Sequence, residues 1–326
     1  MGVFTALGDA ELVQLVDAFG LGAVVAWAPI AAGTINSNFS VQTERGRFFV
    51  RINEGKAEAD VAWEARVVTA LASGGVVTPP PLQALTGLPY APIGSVGALS
   101  KWVSVFPWRD GKHLAAAEVT IDDASRIGAA LATLHRIGSG LPASWRRGSI
   151  YDHPHLVSRY ARFGSSVDPA LARAIAILGD ELAFATDAAA VRRRATQGLI
   201  HGDLFRDNVL WDGDRLVAIL DFEQASGGSL AYDLAVCIND WCWCDGPRAE
   251  LAAALIAGYD RERPLTPGDR AALPIEVRAA AARFTITRIT DVYLARVRNP
   301  DKDFRAFLAR CEAWRSGALE QILAAS

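Results

Sequence analysis

Three polar side chains near the middle of the chain have types and spacing that suit catalysis. Asp203 follows a His-Gly pair, Asn208 comes five residues later, and Asp221 ends the apolar run 216–220. A carboxylate can orient the proton of an attacking hydroxyl, while a second carboxylate and an amide oxygen can hold Mg²⁺ against phosphates. The spacing therefore predicts phosphoryl transfer, with Asp203 as the catalytic residue and Asn208 and Asp221 as metal ligands.

Short strands must position these side chains. Residues 209–211 and 216–220 are apolar, and Asp212-Gly213 between them is typical of a hairpin turn. This predicts that Asp221 lies at a strand end, close to the loop that carries the other two side chains. Asp and Asn also cap turns and helices often, so a purely structural role is the alternative.

The chain before this region predicts different elements from the chain around it. Residues 1–103 predict short strands and an amphipathic helix over 58–71. Residues 104–326 predict mainly alanine-rich helices, including helices over 274–295 and 300–324. We therefore predict an α+β fold with two unequal lobes, 1–103 and 104–326, that share one active site.

Composition excludes several classes of protein. The chain has 33 Lys and Arg against 36 Asp and Glu, a net charge of −3, which argues against a nucleic-acid-binding face. Its 4 cysteines form no disulfide framework for 326 residues, so reduced thiols are expected. The N-terminus is acidic and no apolar run reaches about 18 residues, which predicts a cytoplasmic protein with no membrane segment.

Several motifs together resemble one superfamily. The run 201–210 reads HGDLFRDNVL, Leu-Asp-Phe ends at residue 222, and Tyr-Asp-Leu-Ala and Asn-Asp-Trp-Cys follow at 232–235 and 239–242. These residues resemble the aminoglycoside-phosphotransferase and choline-kinase superfamily, which has a protein-kinase-like fold. The segment 239–242 and the Arg-Phe pair at 283–284 are most similar to the bacterial homoserine kinases of that fold. The resemblance implies ATP and Mg²⁺ as cofactors and a small-molecule acceptor, L-homoserine.

The resemblance also implies nucleotide-binding residues in the first lobe. Arg51 occupies the strand position where kinases of this fold carry a phosphate-binding lysine, and Glu64 on the next helix is the expected partner of that cation. Lys56 and Lys101 are alternative phosphate ligands. For Glu64, the structural alternative is a solvated helix face. For the turn over the phosphates, it is an ordinary hairpin turn. The turn over the phosphates is assigned to Gly33, Asn36 and Ser37.

Homoserine carries an ammonium and a carboxylate, which call for acidic or amide groups and for arginine. Arg283 and Arg288 are the candidates for the carboxylate. Structural salt bridges are the alternative, and Asp233 in particular could brace the catalytic loop. The candidates near the ammonium are Asp233, Asn239 and Asp240.

Two other functions remain open at this stage. Trp241 and Trp243 could stack on a quaternary ammonium, which favours a choline-like acceptor, and an aminoglycoside is a further possible acceptor. The arginine at position 51 also leaves room for a nucleotide-binding pseudokinase.

Overall fold

The computed structural model describes two compact units. Its described residues are 5–31, 36–94, 101–297 and 299–325, without the side chains of 323–325. The small unit comprises Met1–Lys112 and Val217–Glu223, and the large unit comprises His113–Leu216 and Gln224–Ser326. The short second piece of the small unit carries Asp221, so the chain returns to this unit to deliver a predicted metal ligand.

The small unit is built on a five-stranded antiparallel sheet. The strand order is β1-β2-β3-β5-β4, and helices α1 and α2 complete the unit. Among the described residues the elements are α1 Asp9–Ala18, β1 Val24–Pro29, β2 Ser37–Thr43, β3 Gly46–Asn53, α2 Glu58–Ser73, β4 Ala91–Ile93 and β5 Lys101–Pro107.

The register of β3 places Arg51 in the middle of this sheet. A two-residue turn joins β2 to β3, with Thr43 opposite Gly46, whose φ of 135° suits glycine. Arg51 is then opposite Ser104 on β5. Alternate residues of β2 are buried, because one face of the sheet packs on the core. Strand β1 does not alternate in this way, and the sequence did not predict it.

The large unit is mainly helical, with short strands around the predicted catalytic loop. Strand β6 pairs with β9, and β7 pairs with β8. Its described elements are α3 Ile121–Ser139, α4 His153–Ala161, α5 Ala172–Asp187, α6 Ala189–Arg192, β6 Gln197–Ile200, β7 Val209–Asp212, β8 Arg215–Ile219, β9 Ser226–Ser229, α7 Leu230–Trp241, α8 Ala249–Glu262, α9 Pro267–Arg288, α10 Phe304–Trp314 and α11 Ala318–Ala325. Strand β8 continues into the small unit at Val217.

Helices α3 and α8 cross at unusually close range. A Cβ on Gly128 would lie 2.0 Å from the carbonyl oxygen of Leu255, and a Cβ on Gly258 would lie 2.1 Å from that of Ser125. No side chain fits at either position without separating the helices. Helix α3 also carries His135, so this crossing fixes a side chain that contacts the site.

Two helix predictions were wrong in their bounds. Helix α9 begins at Pro267 instead of residue 274, because Thr266 accepts a hydrogen bond from the Asp269 amide (3.1 Å) and Pro267 fits the first turn. The predicted helix over 300–324 is two helices, separated near Gly317, which has a φ of 79°.

The predictions for cysteines and membrane segments can be checked on the described residues. All four cysteines are free thiols, and three of them are buried. Within the described ranges, no helix combines the length and the apolar character needed to cross a bilayer.

Candidate active site

The loop that carries Asp203 and Asn208 leaves the buried strand β6 and is held by its own hydrogen bonds. Asn208 Nδ2 donates to the Asp203 carbonyl oxygen at 2.8 Å. The Asp203 amide donates to His201 Nδ1 at 3.3 Å. Gly202 has a φ of 78°, and a Cβ there would lie 3.2 Å from the Gln224 carbonyl oxygen. The loop therefore requires glycine at 202 and presents the Asp203 side chain, which is 20% exposed.

Asp233, on helix α7, braces this loop through its backbone. Its two carboxylate oxygens accept hydrogen bonds from the amides of His201 and Gly202, both at 2.7 Å. The side chain has no exposed surface. Burial alone raises the pKa of Asp233, but the hydrogen bond from His135, together with that from the Gly202 amide, holds that pKa below its usual value. The predicted contact of Asp233 with the acceptor substrate stays a prediction, because both of its carboxylate oxygens are hydrogen-bonded to loop amides.

A directed chain of hydrogen bonds lies behind Asp233. Arg263 Nη1 is 3.2 Å from the Tyr259 hydroxyl, and arginine can only donate. The Tyr259 hydroxyl therefore donates onward to His135 Nδ1 (2.7 Å), and His135 Nε2 donates to Asp233 Oδ2 (3.0 Å). This pattern satisfies every group with a neutral imidazole that carries its proton on Nε2. The tautomer in turn keeps Asp233 an acceptor for the loop amides.

The segment 239–241 at the end of α7 also supports the loop. Asp240 Oδ2 accepts from the Arg206 amide at 2.8 Å and from Arg206 Nε at 3.0 Å. Trp241 Nε1 donates to the Leu204 carbonyl oxygen at 3.0 Å. Asn239 uses its side chain on the Ala235 and Val277 carbonyls and on Trp314 Nε1. Asn239 and Trp241 are both 0% exposed. Their predicted contacts with the substrate stay predictions, because neither side chain is accessible in this arrangement.

The structure brings Arg283 to the predicted catalytic carboxylate. Arg283 Nη1 lies 3.7 Å from Asp203 Oδ1, and Nη2 donates to Gln224 Oε1. Its guanidinium carbon is 4.1 Å from the ring centroid of Tyr151. Arg283 Nε is buried and has no hydrogen-bond partner among the described residues. A cation of this kind beside Asp203 suits a small anionic substrate.

Arg288 is placed differently from Arg283. Its Nη1 donates to the Asp303 carbonyl oxygen at 3.0 Å, and its guanidinium carbon is 4.4 Å from the Phe307 ring centroid. Burial lowers the pKa of Arg288 below its usual value, and the negative charges of Asp240 and Asp203 offset only part of this effect. Arg288 therefore lies within electrostatic range of the loop and is tied to a different segment.

In the small unit, Asp221 adopts a backbone conformation that is rare for residues other than glycine. Its φ is 60°, and the Glu223 amide lies 3.3 Å from Asp221 Oδ1. Left-handed backbone in a non-glycine residue is common at functional positions, and aspartate tolerates it better than most. The turn places the Asp221 side chain in an exposed position, as a metal ligand requires.

Arg51 and Glu64 form the ion pair that the sequence predicts. Arg51 Nη2 lies 2.7 Å from Glu64 Oε1, and Arg51 Nη1 lies 3.3 Å from Glu223 Oε1. Burial alone lowers the pKa of Arg51, but Glu64, Glu223 and Asp221 together raise it. Burial likewise raises the pKa of Glu64, and the charges of Arg51 and Lys56 overcome this and lower it. Both side chains are therefore charged, although their nucleotide-binding role stays a prediction.

The predicted phosphate turn lies partly outside the described residues. Gly33 lies outside the described residues. Asn36 Nδ2 donates to Glu223 Oε1, and Asn36 Oδ1 accepts from the Glu54 amide at 3.1 Å. Ser37 Oγ donates to Glu54 Oε1 at 2.7 Å. Glu54 is also bonded to Lys101 Nζ at 2.7 Å, so this carboxylate anchors the start of β2.

The donor atoms present fit magnesium. Asp221 and Asn208 offer oxygen atoms, and Mg²⁺ commonly takes one or two protein oxygens and completes its shell with phosphates and water. Across the described part of the chain, no group of three or more His, Cys, Asp and Glu side chains could hold a metal alone.

Sequence reasoning missed Glu223 and Gln224. The Glu223 carboxylate accepts a hydrogen bond from Asn36 and forms ion pairs with Arg51 and Lys56. The Gln224 side-chain oxygen accepts a hydrogen bond from Arg283. The acid-aromatic-acid run at 221–223 was a usable signal, because a second carboxylate directly after a metal ligand needs cations nearby. No comparable signal marks Gln224.

One family model matches most of the chain. The phosphotransferase enzyme family is matched over residues 26–265, which include every catalytic and metal-binding residue predicted above. The match covers the first part of the small unit from residue 26 onward and all of its second part.

Curated relatives match over nearly the whole chain. A protein of Caulobacter sp. (strain K31) named homoserine kinase is 36% identical, with 89% of each chain covered. A protein of the same name from Gluconacetobacter diazotrophicus is 35% identical, again with 89% of each chain covered. Their length matches that of this chain closely.

Solved structures show the same fold at low identity. An amicoumacin kinase in complex with AMP-PNP and Ca²⁺ superposes with a TM-score of 0.72 at 13% identity, covering 96% of this chain and 94% of that one. A microcompartment-associated aminopropanol kinase has a TM-score of 0.68 at 19% identity, with 97% and 98% covered. These likenesses confirm the predicted protein-kinase-like α+β fold.

Proposed function

Because the chain belongs to the phosphotransferase enzyme family, we propose that it is an ATP-dependent kinase that phosphorylates the hydroxyl of L-homoserine. The observation that carries the acceptor is the set of curated relatives named homoserine kinase, which are 31 to 36% identical over 89% of this chain. The product is O-phosphohomoserine, and a cytoplasmic location is part of the proposal.

The large unit supplies the base and the acceptor cation. Asp203 accepts or orients the proton of the attacking hydroxyl, and the loop amides bonded to Asp233 keep its backbone fixed. Arg283, whose Nη1 lies 3.7 Å from Asp203 Oδ1, binds the carboxylate of the acceptor. A molecule that carries a carboxylate and a hydroxyl a few bonds apart can then meet both side chains. This arrangement supports a small amino-acid alcohol.

The small unit supplies the nucleotide side of the reaction. Arg51 and Glu64 form a buried ion pair on adjoining elements, and Asn36 and Ser37 begin the strand that follows the predicted phosphate turn. Mg²⁺ held by Asn208 and Asp221 would neutralise charge on the phosphates as the phosphoryl group moves. Most of the rate enhancement then comes from positioning and electrostatic stabilisation.

No observation favours the other acceptors. The choline-like alternative depends on Trp241 and Trp243 stacking on a quaternary ammonium. Trp241 is 0% exposed, and the guanidinium carbon of Arg310 already lies 4.8 Å from the Trp243 ring centroid.

An ADP-release assay with Mg²⁺ and a panel of alcohols tests the proposal. The panel contains L-homoserine, D-homoserine, L-serine, choline and kanamycin. We expect release that depends on L-homoserine, with a much lower kcat/KM for the others. A higher kcat/KM for choline or kanamycin would contradict the acceptor assignment. No turnover of any alcohol, together with ATP binding, would instead support a pseudokinase.

The carboxylate contact has its own test. Arg283→Met should raise the KM for homoserine, because the acceptor carboxylate loses its cation, and should leave the KM for ATP within about twofold. Arg305→Met, which removes an exposed cation of the same unit, is the matched control. An unchanged KM for homoserine in Arg283→Met would remove this contact from the proposal.

A further inference from the structure

Three donors in the small unit meet on one carboxylate oxygen. Glu223 Oε1 accepts from Asn36 Nδ2 and lies 3.3 Å from Arg51 Nη1 and 3.1 Å from Lys56 Nζ. Two cations and an amide around a single oxygen are the donor set that a phosphate oxygen requires. The Glu223 carboxylate therefore occupies a site suited to an oxyanion.

The two cations of this site differ in their freedom to contact a ligand. Arg51 is fixed on β3, its side chain is 9% exposed, and its two terminal nitrogens are used by Glu64 and Glu223. A guanidinium paired with two buried carboxylates cannot leave them without exposing unpaired charge in the core.

Lys56 is the more adaptable of the two. It lies beyond the end of β3, in the short connection to α2, and follows Gly55, which has a φ of 66°. Its side chain is 18% exposed, and its ammonium lies 3.3 Å from Glu64 Oε2 and 3.1 Å from Glu223 Oε1. A lysine ammonium has three donors on a flexible stem, so it can keep Glu64 and turn to another anion.

Lys101 pairs with a different carboxylate, that of Glu54. Its ammonium lies 2.7 Å from Glu54 Oε2 and donates to the Thr5 hydroxyl. This lysine belongs to the group of residues that anchors the start of β2, and it shares no carboxylate with Arg51 or Lys56 in the described contacts.

We propose that Lys56 is the cation of this chain that binds a nucleotide phosphate, and that the phosphate replaces Glu223 on the Lys56 ammonium while Glu223 stays paired with Arg51. Arg51 then remains a fixed counter-ion for Glu64 and Glu223. This inference rests on the proposed function only in taking an adenine nucleotide as the ligand. It assigns opposite effects to the two residues: removing Lys56 weakens phosphate binding, and neutralising Glu223 strengthens it.

Calorimetric titration with ADP and with adenosine, each with and without Mg²⁺, tests this assignment. Lys56→Met should raise the Kd for ADP on the order of ten- to a hundredfold, the range of a charge-assisted hydrogen bond, and leave the Kd for adenosine unchanged. Lys56→Arg should restore much of the ADP affinity. Arg45→Met, which removes an exposed cation at the turn between β2 and β3, is the matched control and should leave both Kd values unchanged.

Glu223→Gln should lower the Kd for ADP several-fold without Mg²⁺, because the competing carboxylate charge is gone. A higher Kd for ADP in this variant, with or without Mg²⁺, would overturn the displacement by phosphate. Equal weakening of ADP and adenosine by Lys56→Met would overturn the phosphate contact, since a purely structural role affects both ligands. Thermal melting confirms that each variant is folded before titration.

These titrations contain no acceptor alcohol, so the failure of one proposal does not refute the other. If homoserine is not phosphorylated but the Kd values for ADP change as predicted, only the acceptor assignment is refuted. Normal homoserine turnover with an unchanged ADP Kd in Lys56→Met would refute only the phosphate assignment.

Discussion

The small and the large unit hold their candidate site residues by different means. In the small unit, charged side chains share partners: Glu64 and Glu223 each contact both Arg51 and Lys56. In the large unit, Asp233 holds backbone amides and is backed by the neutral side chain of His135, with no exposed surface on either side chain. Side chains that share charges can exchange partners when an anion arrives, whereas bonds to backbone amides persist unless the loop moves. The first arrangement suits a ligand that binds and leaves, and the second suits a base that must stay in place.

The largest expected effect tests the fixed base. Asp203→Asn should lower kcat by about 10² to 10⁴, because the amide cannot accept the proton of the hydroxyl, and should change the melting temperature little. Asp214→Asn, at an exposed turn of the same unit, is the control for the loss of one carboxylate. Steady-state kinetics and thermal melting of both variants provide the measurement. Retention of wild-type kcat in Asp203→Asn would remove it from the chemistry.

The next effect tests the brace behind that base. Asp233→Asn turns an NH₂ group toward a loop amide that needs an acceptor, so we expect the free energy of unfolding at pH 7 to fall by about 3 kcal/mol. The pKa of Asp233 is held below its usual value in the folded chain, so its charge stabilises the fold above that value and ceases to do so as the pH falls through the lowered pKa. The penalty measured by urea unfolding should therefore shrink toward acid pH. A penalty that grew on acidification would contradict this account.

A smaller effect is expected for the ion pairs of the small unit. Glu64→Gln leaves Arg51 and Lys56 with Glu223 as a shared partner, so the free energy of unfolding should fall by about 1–2 kcal/mol, less than for Asp233→Asn. Urea unfolding of the two variants under one condition gives the comparison. If Glu64→Gln destabilised the chain more than Asp233→Asn, the small unit would be the more rigidly held of the two.

The smallest effect tests the hydrogen-bond chain. Tyr259→Phe removes the donor to His135 Nδ1 and should lower the free energy of unfolding by about 1 kcal/mol. Nitrogen chemical shifts of the imidazole should show that Nδ1 loses its hydrogen bond while Nε2 keeps its proton. Tyr160→Phe, which removes a hydroxyl bonded to the Ile175 carbonyl at 2.9 Å, is the matched control. It should leave the His135 signals in place.

Local spacing identified the candidate site residues and missed those that hold them. Asp203, Asn208 and Asp221 are candidates from the sequence alone because the proposed chemistry requires particular side chains at particular separations. The Arg51–Glu64 pairing followed from the resemblance, which implies a cation on this strand and an acidic partner on the next helix. Glu223 and Gln224 receive partners from distant segments, such as Asn36 and Arg283, and local periodicity carries no information about such contacts. Helix α9 begins earlier than the sequence predicts, because Pro274, a residue type typical of a helix start, lies inside this helix.

The left-handed backbone of Asp221 has a consequence for evolution. A non-glycine residue at a φ of 60° carries a strain of about 1 kcal/mol or more, which glycine does not. Selection for stability alone would therefore drive this position toward glycine, and random mutagenesis under heat challenge without a requirement for activity should recover Asp221→Gly. The same screen under a requirement for turnover should exclude it. At position 221, stability and the proposed metal-binding role therefore favour different residues.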